Sequence, residues 1–153
     1  SLGINGRMTD LQAALGISQL KKLPEFLRRR REIAAKYNEA FGSLTGLVVP
    51  YQLPDANSSW HLYILRWDRN EFRGTRKDWF DALRAENIGV HVHYIPVYRQ
   101  PYYQSIGYGR VHCPEAEALY EEMITLPIFP AMTDEDVLDV VEAVRKVYNY
   151  YKK

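Results

Sequence analysis

Helix-spaced apolar residues at both ends of the chain, a breaker-free aromatic segment near its middle and a strict alternation after it predict an α+β fold. The elements read, in order, as long helix, strand, strand, helix, strand, helix, strand, helix. That order is satisfied by a small, mostly antiparallel sheet covered by helices and preceded by a long kinked helix. The chain has 153 residues, 46% of them hydrophobic and 25% charged, with a net charge of +1. This composition can build a core without disulfides or a structural metal and is unlike that of a disordered tail. Two parts are expected: a helical interdomain segment over 1–42 and a small α+β domain over 43–153.

Thr9-Asp10-Leu11-Gln12 reads as a capping box, in which the threonine hydroxyl and the glutamine side chain each serve the other residue's amide. Leu11, Ala14, Leu15 and Leu20 follow at roughly helical spacing. Pro24 lacks an amide proton and restricts Leu23, so it should kink or restart the helix. Phe26, Ile33, Tyr37 and Phe41 then continue an apolar stripe up to Gly42. A turn-rich stretch (Gly46, Pro50, Pro54, Asp55, Asn57) flanks a short strand at Leu47-Val48-Val49. Residues 60–67, WHLYILRW, give the strongest strand signal. Thr75 caps a helix that turns Trp79, Phe80 and Leu83 inward and ends near Asn87.

Ile88-Gly89-Val90-His91-Val92-His93 alternates strictly, which predicts a strand with Val90 and Val92 inward and His91 and His93 sharing the other face. Pro96, Pro101, Gly107 and Gly109 mark an irregular loop. Pro114 starts a short helix through Glu122, Thr125-Leu126-Pro127 is extended, and Thr133 with Asp136 opens the last helix. Its stripe is Val137, Val140, Val141, Val144 and Tyr148; four valines lower helix propensity, so packing has to hold it.

Several function classes are disfavoured on chemical grounds. The single cysteine, Cys113, permits no internal disulfide and favours a reducing, cytoplasmic setting. No apolar run approaches the ~20 residues of a membrane span, so no membrane partner is expected. Arg28-Arg29-Arg30-Arg31 turn by about 100° per residue on a helix and cannot make one phosphate-binding stripe. Glu25 and Glu32 flank them, so no nucleic-acid partner is expected. His91, His93, His112 and Cys113 could be gathered around a metal, yet neither C-x-x-C nor H-E-x-x-H is present and no metal site is expected. Cys113 beside His112 reads as a semi-buried loop cysteine and not as a nucleophile.

The segment from His93 to Tyr103, HYIPVYRQPYY, differs in kind, with four tyrosines, a histidine, an arginine and two prolines after a strand end. Flat rings with polar tips and a guanidinium fork suit a ligand with an aromatic base, sugar hydroxyls and phosphates. An aromatic-rich loop packing on the core accounts for the same residues, and the segment alone leaves both readings open.

Gly3-Ile4-Asn5-Gly6-Arg7-Met8-Thr9-Asp10-Leu11-Gln12-Ala13-Ala14-Leu15-Gly16, with Gln19-Leu20, resembles the pattern G-x-N-x-R-[ML]-x-[DE]-[LI]-Q-A-A-[LI]-G-x-x-Q-L of DegT/DnrJ/StrS-type nucleotide-sugar aminotransferases. Further matches follow in family order. Trp60-His61-Leu62-Tyr63 is similar to an H-x-Y strand, His93-Tyr94-Ile95-Pro96 to an H-Y-x-P loop, and Leu126-Pro127-Ile128-Phe129-Pro130 to an L-P-x-[YF]-P turn. Val92 to Pro96 followed by Gln100-Pro101-Tyr102-Tyr103 looks most like the subgroup that aminates UDP-linked 4-keto-6-deoxy aminosugars for pseudaminic-acid-type glycans.

The resemblance implies the C-terminal small domain of a fold-type I, aspartate-aminotransferase-like enzyme that uses pyridoxal phosphate (PLP), normally as a homodimer. Glutamate would donate an amino group to a 4-keto nucleotide sugar. The cofactor-bearing lysine of such enzymes lies in the large domain, upstream of G-x-N-x-R, and none of the seven lysines here has that context. A chain opening on Ser1-Leu2-Gly3 is accordingly expected to be a small domain without its catalytic half, inactive alone and carrying no catalytic residue. By the same resemblance Asn5 and Arg7 map to residues at the cofactor phosphate. His93 and Tyr94 map to the nucleotide-sugar cleft, with Tyr98 and His61 as further substrate-binding candidates. A non-catalytic nucleotide-sugar-binding or dimerisation module is the alternative, and a metal-dependent hydrolase a third reading.

Overall fold

A computed structural model describes residues 6–153 of the chain. It contains α1 (Asp10–Phe41), β1 (Leu47–Val48), β2 (Tyr63–Trp67), α2 (Arg76–Ala85), α3 (Pro101–Ser105), α4 (Pro114–Glu122), β3 (Met123–Leu126) and α5 (Asp134–Tyr151). Single 3-10 turns at Val97–Arg99 and Tyr108–Arg110 bracket α3. The strands form one antiparallel sheet in the order β1-β2-β3, with Leu47 opposite Trp67 and Tyr63 opposite Leu126. The expected α+β class and small antiparallel sheet are both present.

β2 alternates, with Tyr63, Leu65 and Trp67 buried and Arg66 exposed. Its inner face joins Ile33, Tyr37 and Phe41 of α1, Trp79 and Leu83 of α2, and the valine stripe of α5 in one core. At one end of that core Trp67 stacks on Trp79 (centroids 5.6 Å apart), and Phe72 meets both rings. On the outward side, Arg66 pairs with Glu122 at the end of α4 at 2.7 Å. Buried tyrosine hydroxyls are satisfied: Tyr37 donates to the Pro127 carbonyl (2.9 Å) and Tyr63 to Asn38 Oδ1 (2.7 Å).

Two local expectations are corrected and one is narrowed. The first helix runs through Pro24 as one element, so the proline does not restart it. A proline removes one intrahelical hydrogen bond, and on this solvent-exposed stretch water can serve the Leu20 carbonyl instead. The strong aromatic segment pairs only from Tyr63 onward, because Trp60 sits at φ +48°, outside the extended region.

The alternating segment from Ile88 to His93 is not a strand. It makes a single bridge, His91 to Thr125, through two backbone hydrogen bonds of 3.1 and 2.8 Å. Before it the Val90 amide turns back onto the Ile88 carbonyl, and past Leu126 the partner chain offers Pro127, which has no amide to donate. Val90 is buried as expected, whereas Val92 is only half-buried because the chain leaves the sheet edge after the bridge; His91 and His93 do share a face, their imidazoles 5.7 Å apart.

Candidate functional site

The residues singled out in the H-Y-x-P segment lie along the free edge of β3. Thr125 is buried in the middle of that strand, paired with Ile64 on one side and bridged to His91 on the other. Its hydroxyl reaches Nδ1 of His93 at 3.0 Å. Burial, reinforced by any charge on His91 and His61, holds the His93 imidazole below the usual histidine range. At neutral pH His93 is therefore an uncharged ring fixed on one nitrogen, with Nε2 on the opposite edge of the ring. Tyr94 meets that ring edge-on at 4.6 Å and is 70% exposed; the peptide bond between the two residues is cis. His61 is exposed just before β2.

Tyr98 lies one turn along, with its hydroxyl committed within the chain. It donates to Glu117 Oε1 at 2.7 Å and accepts the Cys113 amide at 3.3 Å. Beyond it Tyr102, Tyr103 and Tyr108 stack edge-to-face in sequence and are largely solvent-facing. The loop is thus an aromatic wall standing off the core, which contradicts the reading of rings packed inward. A groove of about 460 Å³ between α1 and α5, lined by Lys36, Ala40, Val137 and Arg145, shares none of these residues.

Arg7 is exposed in the lead-in to α1, two residues ahead of Thr9, whose capping box with Gln12 forms as expected. Asn5, its expected companion, lies outside the described residues. Among the described residues no three His, Cys, Asp or Glu side chains are gathered to hold a metal, and His112 Nδ1 instead meets Glu117 at 2.9 Å. Cys113 is exposed and not semi-buried as expected, because it caps α4 at the rim of the aromatic loop.

The arginine run divides among separate partners. Arg28 pairs with Glu25 and Glu32, Arg29 with the Met132 carbonyl and Asp134, and Arg31 with the Ser58 carbonyl. Two site residues, Thr125 and Glu117, are not marked by the sequence. Thr125 falls in an extended segment with nothing to single out its hydroxyl. Glu117 resembles any acid in the first turns of a helix.

Residues 1–145 match the DegT/DnrJ/EryC1/StrS aminotransferase family. The chain belongs to that family. It is 45% identical over 149 residues to the spore coat polysaccharide biosynthesis protein SpsC of Bacillus subtilis, covering 96% of this chain and 38% of SpsC. Its fold superposes with a TM-score of 0.88 on Helicobacter pylori PseC, an aminotransferase involved in the biosynthesis of pseudaminic acid. There the identity is 31%, covering 98% of this chain and 40% of PseC. A TM-score of 0.85 at 30% identity relates it to Spr1654 of Streptococcus pneumoniae in its PLP form, covering 94% of this chain and 36% of the other. The chain spans about two-fifths of the length of these relatives, and the fold is the small domain that the motif order implied.

PLP is the cofactor this family implies. A lysine that carries an aldehyde cofactor has to be available as a free amine, which desolvation or a neighbouring cation promotes. Here Lys36, Lys77, Lys146 and Lys152 are ion-paired with Asp134, Asp81, Glu86 and Glu71. Lys153 binds the Asn70 carbonyl at 2.9 Å, and Lys21 and Lys22 stand on the exposed first half of α1.

Proposed function

We propose that this chain is the small domain of a PLP-dependent enzyme that moves an amino group from glutamate to a UDP-linked 4-keto-6-deoxy sugar, for the synthesis of a surface glycan. The observation that carries the reading is the His93–Tyr94 pair, a neutral imidazole fixed by Thr125 beside a tyrosine left open to solvent. An uncharged ring and a phenol suit hydroxyl-rich sugar and a flat base, and Arg7 suits a phosphate. SpsC and PseC, named for polysaccharide and pseudaminic acid biosynthesis, support the same substrate class. In this proposal His61 and Tyr98 border the sugar site, and Asn5 and Arg7 reach the cofactor phosphate, across a homodimer interface in the case of Asn5. Residues 1–42 then form the interdomain segment and 43–153 the small domain.

The test uses the longer protein that contains this chain, assayed for glutamate-dependent amination of a UDP-4-keto sugar. Asn5→Ala should lower affinity for PLP by roughly tenfold, the scale of one hydrogen bond to a charged group. An active enzyme indifferent to that change would refute the phosphate role. The 153-residue chain alone should neither bind PLP covalently nor turn substrate over, and turnover by it would overturn the division of labour between the domains.

A further inference from the structure

From His91 to Glu122 the chain contributes no buried residue. The aromatic wall therefore lacks the apolar packing that fixes most loops, and polar contacts must set its position. These contacts converge on one side chain. Glu117, on α4 and 17% exposed, receives the Tyr98 hydroxyl (2.7 Å) and His112 Nδ1 (2.9 Å) on Oε1, and Arg99 Nη2 (2.8 Å) on Oε2. The Tyr98 oxygen in turn accepts the Cys113 amide. Both oxygens of one carboxylate thus gather the middle of the loop, Tyr98 and Arg99, and its end, His112 and Cys113. Glu121 adds only a longer contact to Arg99, at 3.9 Å.

α4 leads without a break into β3, where Thr125 fixes His91 and His93 at the start of the same loop. Residues 114–126 are therefore one frame that grips the wall at its beginning, middle and end. The Tyr98 hydroxyl above all, with His112 and Arg99, holds the Glu117 carboxyl down to about 2, so the grip persists at any working pH.

We propose that Glu117 is the positioning residue of the aromatic wall, setting the distance between Tyr94 and the sugar nucleotide and so acting on affinity for that substrate alone. The proposal builds on the function proposed above. In the longer protein, Glu117→Ala should speed amide exchange across residues 94–111 and leave α5 and the sheet unchanged. The KM for the nucleotide sugar should rise about tenfold, the loss expected when charge-assisted bonds that orient a binding loop are removed.

The glutamate half-reaction, followed by cofactor absorbance, should stay within about twofold, since uniform binding of the sugar is what is lost. His112→Phe, which removes only one of the three contacts to Glu117, should give the same pattern more weakly. Unchanged exchange in the loop, or sugar and glutamate steps falling in parallel, overturns the proposal. If the wild-type protein aminates no nucleotide sugar, the functional reading fails separately. The exchange measurement still decides the anchor, for or against.

Discussion

Gly46 carries a φ of +89° between α1 and β1, and a Cβ there would meet Glu71 Cβ at 2.7 Å and Phe72 Cε2 at 2.9 Å. Phe72 cannot give way, being 1% exposed and wedged between Trp67 and Trp79. Gly46→Ala should therefore combine backbone strain with a clash and cost roughly 2 kcal/mol or more. For a chain of this size that is a fall in Tm of about 4 °C or more, and a variant melting with the wild type would contradict it. His93 gives another prediction at this scale. Its titration midpoint, read from imidazole NMR shifts, should lie below the ordinary value of about 6.5. The native state then binds fewer protons than the unfolded chain, so this group's contribution is full above pH ~6.5 and declines as pH falls toward the native midpoint. Burial is the main cause and His91 the next, so His91→Gln should raise the midpoint without restoring it fully. No movement in His91→Gln would show that the two rings do not sense each other.

At the scale of elements, what proved legible was local. Thr9 with Gln12, Thr75 with Asp78 and Thr133 with Asp136 all form reciprocal caps, because each needs only residues three apart. The valine stripe of α5 is buried as its spacing implies. The segment from Ile88 to His93 failed as a strand because alternation reports a half-buried surface, whereas pairing depends on a partner chain that here ends in proline. Glu117 went unseen for a related reason, since Tyr98 arrives from a loop 19 positions upstream and Arg99 from beside it. The helical spacing of Leu11, Leu15 and Leu20 correctly marked a helix and said nothing about what covers it, and within this chain they are exposed. Pro24 lies on that uncovered part. Pro24→Ala should remove an intrinsic penalty of about 3 kcal/mol and slow amide exchange between Leu11 and Leu23. Tm should barely change, because α1 buries only Ile33, Ala34, Tyr37 and Phe41. A large rise in Tm would mean that the first half of α1 melts together with the core.

For the whole molecule, the unequal burial along α1 is the decisive fact. Its C-terminal half is a core element, whereas Leu11 (83% exposed), Leu15 (63%), Ile17 (58%) and Leu20 (65%) make the first half an exposed apolar stripe. An isolated helix of that length is marginal in water, so an amphipathic stretch of this kind is stabilised by whatever surface it meets. Its relatives are more than twice as long. The 153-residue chain on its own should therefore associate with itself through this stripe. Sedimentation velocity over a concentration series should show a mass-average coefficient that rises with concentration. Leu11→Glu with Leu15→Glu should abolish the rise while leaving Tm unchanged, since neither side chain touches the core. A chain that sediments as a monomer at every concentration would show that the exposed stripe is tolerated by water. It would then give no support to the first half of α1 as the segment that joins this domain to another.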